Sequence, residues 1–167
     1  MQIEHSRRVA AVLLLLAASG GVLTSPTFAD DVEGAMDLER MDAIIRDHGT
    51  DVLRNGGIWE FDFFGVRMAC VTDAKHNRMR VLAPVVQPSK VTPEQHLKLL
   101  EANFHTALDA RYGASEGILY SLFLHPLGSL SDSQLRSALL QVAALARSFG
   151  SDYSSGTLRY GEPGTTM

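Results

Sequence analysis

The sequence predicts an α+β domain, an antiparallel sheet with helices in the order α-β-β-β-α-β-β-α. Three observations predict it. Two capping boxes, Thr92 with Gln95 and Ser131 with Gln134, each open a stretch whose apolar residues recur at helical spacing. The segment Trp59 to Phe63 alternates aromatic and acidic residues, the period of a strand with one buried face. The run ILYSLFL, 118–124, is apolar on both alternate faces, as in a central strand covered on each side. Helices grouped apart from a mainly antiparallel sheet define the α+β class.

Each element has its own signal. From Met36 to His48, Leu38, Met41, Ile44 and Ile45 form a helical stripe that Gly49 terminates. In GIWEFDFFGVRMACVTD, Trp59, Phe61 and Phe63 alternate with Glu60 and Asp62, and Gly65 offers the reversal into Val66, Met68 and Cys70. After a polar loop, RMRVLAPVV sets Arg78 and Arg80 against Met79, Val81 and Ala83, with Pro84 marking an edge or a strand terminus. The second helix starts at Thr92 and Pro93, and its stripe is read as Leu97, Leu100, Phe104, Ala107 and Leu108. Gly113 and Gly117 bracket a hairpin turn before the apolar strand. Leu135, Leu139, Val142, Ala146 and Phe149 make the third helical stripe, closed by Gly150.

The chain begins with a secretory signal pattern. Arg7 and Arg8 precede an apolar run from Val9 to Ala18 and a small-residue region ending Thr27-Phe28-Ala29, which places cleavage after Ala29. The apolar run is too short and too interrupted by Ser19, Gly20 and Gly21 for a stable bilayer anchor. A periplasmic or secreted location follows, with 30–150 as the folded domain and 151–167 as a flexible tail on which Tyr153, Leu158 and Tyr160 are the residues able to dock. The chain's net charge is −4; removing Glu4, Arg7 and Arg8 leaves 13 basic and 18 acidic residues, a net −5. A mildly acidic domain lacks the basic footprint that nucleic acid requires. Cys70 is the single cysteine, so no intramolecular disulfide forms, and it reads as a small core hydrophobe.

The element order, together with GGIWEFDFFGVRMACVTD, NRMRVLAPVV, LLEANFHTALDARY and ILYSLFLHPLGSLS, resembles the type III secretion chaperone-like superfamily, including its Tir-chaperone and YbjN-like groups. The similarity spans 36–149. It implies a homodimer that holds a peptide or protein partner through apolar surface, with no cofactor and no reaction. The secretion chaperones act in the cytosol, whereas the leader here directs export. The resemblance therefore implies the fold and protein binding without naming a client or a binding residue.

No catalytic signature accompanies it. Glu101, His105 and Asp109 follow one another at four-residue intervals in the second helical stretch, and with His125 they compose a carboxylate and imidazole set suited to zinc. The alternative function built on His105, Asp109 and His125 is a periplasmic metal-dependent enzyme or small-ligand-binding protein. A solvated helix face is preferred, because neither H-E-x-x-H nor a cysteine cluster is present. At a strand end, His125 is expected to satisfy a backbone group, with pH sensing as its second reading. The serines lack a G-x-S-x-G elbow, and Gly56-Gly57 lacks the lysine of a phosphate cradle. Catalytic, cofactor and metal residues are therefore assigned as none. Phe64 beside Gly65 is a candidate for a partner surface. Arg67, Arg78 and Arg80 form either a basic patch for an acidic partner or, preferably, a balance to Glu60 and Asp62 across the sheet.

Overall fold

A computed structural model describes residues 35–156. The signal sequence with its cleavage site, and Leu158 and Tyr160, lie outside the described residues. Helix α1, Leu38–His48, starts where the Asp37 carboxylate accepts the Arg40 amide at 2.8 Å, with Glu39 in its first turn and Arg46 and His48 in its last. Both placements suit the helix dipole. At its end the Gly49 amide returns to the Ile45 carbonyl, 2.7 Å away. A Cβ on Gly49 would stand 2.9 Å from both that oxygen and Phe61 Cδ2, so only glycine passes between helix and sheet without displacement.

Six strands follow: β1 Thr50–Asn55, β2 Ile58–Phe63, β3 Val66–Asp73, β4 Arg78–Val86, β5 Arg111–Ser115 and β6 Ile118–His125. They form one antiparallel sheet in the order β1-β2-β3-β4-β6-β5. Strand β1 is an addition to the order read from the sequence. Its register with β2 slips between Thr50 and Leu53, Asp51 takes a positive φ of 50°, and Leu53 is exposed, so no clean alternation survives to announce it. The β2-β3 and β5-β6 hairpins turn on Phe64-Gly65 and Glu116-Gly117, both residues of each pair having positive φ as tight hairpins demand. Pro84 lies near the end of β4 but on an interior strand, at the irregularity between Pro84 and Val86.

The core lies on one face of this sheet. Trp59, Phe61, Met68, Cys70, Met79 and Val81 point into it and are fully buried. They meet Met41, Ile44 and Ile45 of α1 and Leu135, Leu139, Val142 and Leu145 of α3, Asp132–Arg147. The capping box read at Ser131 and Gln134 is present at α3. Among the described residues, no helix covers the opposite face in a comparable way. Strand β6 buries Leu119, Ser121 and Phe123, while Ile118, Tyr120 and Leu122 are half-buried and Leu124 is exposed. Its two-sided apolar pattern therefore does not mean two covered faces.

Helix α2, Pro93–His105, begins with the expected capping box at Thr92 and Gln95, but it ends earlier and faces differently than its apolar pattern implies. Other groups take up the carbonyls at its end. Thr106 accepts the Ser155 amide at 3.1 Å, and the Arg111 guanidinium donates to the carbonyls of Ala107, Leu108 and Ala110. Thr106 Oγ1 donates to the Tyr153 carbonyl at 2.6 Å, and the Tyr153 ring is buried between Tyr112 and Phe149. These contacts hold the segment that follows the helix. The buried residues of α2 are Leu99 and Ala102, whereas Leu97, Leu100 and Phe104 point outward.

Candidate functional site

The outward face of α2 is the first feature the sequence pattern misassigns. Its residues PEQHLKLLEANFH place apolar groups on two faces, at 97, 100 and 104 and at 99 and 102. The longer stripe has the pattern of a core side. The structure buries the shorter one, because Asn103 between them is tied to β5: its side chain donates to the Tyr112 carbonyl at 3.1 Å and accepts the Tyr112 amide at 2.7 Å. That pair of hydrogen bonds fixes the rotation of the helix. Leu97, Leu100 and Phe104 are consequently 59%, 67% and 75% exposed, in a row at i, i+3 and i+7. Fully burying one such side chain is worth about 1.5–3 kcal/mol, so the row is a strong incentive for association.

The proposed ligand set does not assemble. Because α2 ends at His105, Asp109 lies in the following loop and cannot share its helical face. Glu101 and His105 line a cleft of about 240 Å³ with Lys98, Thr106 and Tyr153. Asp109 and His125 line a different cleft, of about 380 Å³, with Arg111, Gln134, Ser137 and Gln141. Among the described residues, no three His, Cys, Asp or Glu side chains converge on a point that could hold a metal ion. His125 donates from Nδ1 to the Pro126 carbonyl at 2.8 Å, and its ring stacks parallel to Phe123.

Other polar groups in these clefts have structural duties. Gln141 Oε1 accepts the amides of Asp109 and Ala110, at 2.9 and 3.1 Å, while its Nε2 donates to Asp109 and Ser137. Ser121 Oγ donates to the Val142 carbonyl inside the core. Burial pushes the Cys70 thiol up to about 12, which leaves it neutral and a poor nucleophile.

The three arginines separate into two groups. Arg67 lies 3.0 Å from Glu60 and 3.4 Å from Asp62, the cross-sheet balance read from the sequence. Among the described residues Arg78 and Arg80 have no such partner: Arg78 donates to the Asn77 carbonyl, and neither meets a carboxylate. Phe64 is 68% exposed beside Leu140, over a small cleft lined also by Phe63 and Leu139.

No family model matches the chain, and no curated protein matches it in sequence. A chain in the solved HopA1-SchA chaperone-effector complex is similar with a TM-score of 0.51 at 13% identity, covering 65% of this chain and 88% of that chain. The fold is chaperone-like. A chain of the ExsC-ExsE complex has a TM-score of 0.45 at 19% identity, covering 56% and 74%. In this chain α2 packs against β5, the last strand of the sheet, whereas α3 packs against α1, β3, β4 and β6.

Proposed function

We propose that the chain is a non-enzymatic, chaperone-like module that holds a peptide or protein partner and works as a homodimer. In this reading it is an exported, YbjN-like relative of the secretion chaperones, cleaved after Ala29 and acting in the periplasm or outside the cell. The observation that carries the proposal is the row Leu97, Leu100 and Phe104, held outward by the Asn103 clamp. An apolar helix face that a fold positions firmly and leaves uncovered is an association surface. The likeness in fold to a chain of a chaperone-effector complex supports protein binding over chemistry. The separation of His105 from Asp109 and His125 removes the geometric basis of the metal-enzyme alternative.

The test is the mass in solution of the chain purified from the periplasm, measured by light scattering. A mass of two chains is expected, falling to one chain in the variant Leu100→Glu with Phe104→Glu while far-UV circular dichroism is unchanged. A single-chain mass for the unaltered protein, together with no protein recovered by periplasmic cross-linking and mass spectrometry, overturns the proposal.

A further inference from the structure

The open face of the sheet carries a second surface with a chemistry of its own. Strand register aligns Ile58, Val71, Arg80 and Leu124 in one row across β2, β3, β4 and β6. The adjacent row brings Ala69, Leu82 and Leu122 together between Glu60 and Arg111. Ile58 and Leu124 are 45% and 52% exposed. Arg80 therefore stands between Val71 and Leu124, with Arg78 two residues along the same strand. A concavity of about 450 Å³ opens here, lined by Val71, Asp73, His76, Arg78, Arg80 and Leu82.

The charge on this face is one-sided at the two arginines. Asp73 sits opposite Arg78 in the register, but its carboxylate is engaged by the His76 ring at 2.6 Å and the His76 amide at 3.0 Å. Glu60 and Asp62 are engaged by Arg67. Arg78 and Arg80 are thus left as two cations beside an apolar floor on a protein whose net charge is negative. An apolar sheet face is stably covered by a helix, and the sign of the flanking charge selects which helix.

We infer that this face is the docking surface for an acidic amphipathic helix of a partner protein. Its apolar side chains rest on Ile58, Val71, Leu82 and Leu124, and its carboxylates pair with Arg78 and Arg80. The inference rests on the protein-binding reading above and specifies a partner class and a surface distinct from the α2 row.

The experiment uses a fluorescein-labelled helical peptide of Leu, Ala and Glu with its Glu residues along one edge, and a counterpart with Lys in place of Glu. Fluorescence anisotropy should show saturable binding of the Glu peptide, weakening with added salt, and binding of the Lys peptide at least about tenfold weaker. Arg78→Glu with Arg80→Glu should weaken the Glu peptide by about tenfold, and the corresponding Gln variant by less. Leu100→Glu with Phe104→Glu should leave it unchanged. Equal binding of both peptides, no binding of the Glu peptide, or indifference to the arginine variants overturns the inference. So does a drop from dimer to monomer on Arg80→Glu, which would make a second copy the occupant. The peptide results leave the α2 dimer test unaffected, so the two readings fail separately.

Discussion

Trp59 and Asp42 join the first helix to the sheet: the indole Nε1 donates to the Asp42 carboxylate at 2.8 Å while the ring itself is fully buried. Arg54 lies over the same ring, 5.0 Å from its centroid, and Arg46 bonds the other carboxylate oxygen at 2.9 Å. One contact thus combines packing, a charge-assisted hydrogen bond and a cation over an aromatic face. Trp59→Phe keeps an aromatic ring but removes the donor and leaves unfilled space. A loss of about 1–3 kcal/mol is expected in urea unfolding. Asp42→Ala should cost a similar amount, because it leaves the buried indole N–H without an acceptor.

The same carboxylate sets an acid dependence. Burial opposes its ionisation, but the hydrogen bonds from Arg46 and Trp59 and the charges of Arg46 and Arg54 prevail, holding its pKa below the ordinary 3.8. A carboxyl depressed in the folded state stabilises the fold fully above its unfolded pKa. That contribution is lost as pH falls through the folded value. Urea midpoints of the unaltered protein should therefore decline on acidification below about pH 5. Asp42→Asn should start lower at neutral pH, decline less, and meet the unaltered curve at the acid end.

The helix faces show where sequence reading succeeds and where it stops. The capping boxes at Thr92 and Ser131 are legible because they are local hydrogen-bond chemistry, complete within four residues. Strands β2 to β4 are legible because only one face of each is buried deeply enough to hide large apolar groups. The rotation of α2 was not legible, since it is set by Asn103 meeting Tyr112, a contact between elements. Strand β1 was hidden by the displaced Asp51 and exposed Leu53. The grouping of His105, Asp109 and His125 failed for a related reason: the helix terminates on Arg111 and on the Thr106 contacts with Tyr153 and Ser155, partners that lie beyond the helical repeat.

The inverted faces of α2 can be read out by paired substitutions. Leu99 is 5% exposed and Phe104 is 75% exposed, although the sequence pattern assigns Phe104 to the core stripe. Leu99→Ala should cost about 2–4 kcal/mol through lost burial and the cavity left behind. Phe104→Ala should change the stability of the monomer by no more than about 0.5 kcal/mol. Urea unfolding at a concentration below that of self-association separates the two. Equal losses would mean that the helix is rotated to the face the apolar stripe suggested.

Gly49 gives a prediction about the junction of α1 and β1. Its φ of −98° is open to any residue, so Gly49→Ala carries no backbone penalty of the left-handed kind. The obstacle is steric, the added Cβ falling 2.9 Å from the Ile45 carbonyl and from the Phe61 ring. Relief requires moving either the last turn of α1 or a fully buried aromatic. A destabilisation of about 1–3 kcal/mol is expected, measured by thermal and urea unfolding.

Gln141 offers a discriminating test of how the loop after α2 is held. Its Oε1 accepts two amides, of which Asp109 is reachable by water and Ala110 is fully buried. Gln141→Leu preserves much of the volume but strands the Ala110 N–H, at a cost of about 1–3 kcal/mol. Amide hydrogen exchange at Ala110 should quicken accordingly. Gln141→Glu keeps an acceptor for both amides but brings a second carboxylate against Asp109 Oδ2, which in the unaltered protein accepts from Nε2 at 3.2 Å. Two close carboxylates resist joint ionisation, so this variant should be destabilised at neutral pH and regain part of the loss on mild acidification. The Leu variant has no added titrating group and should show no such recovery. A flat response in both would mean that the amides, rather than the Asp109 carboxylate, supply all of the contact's strength.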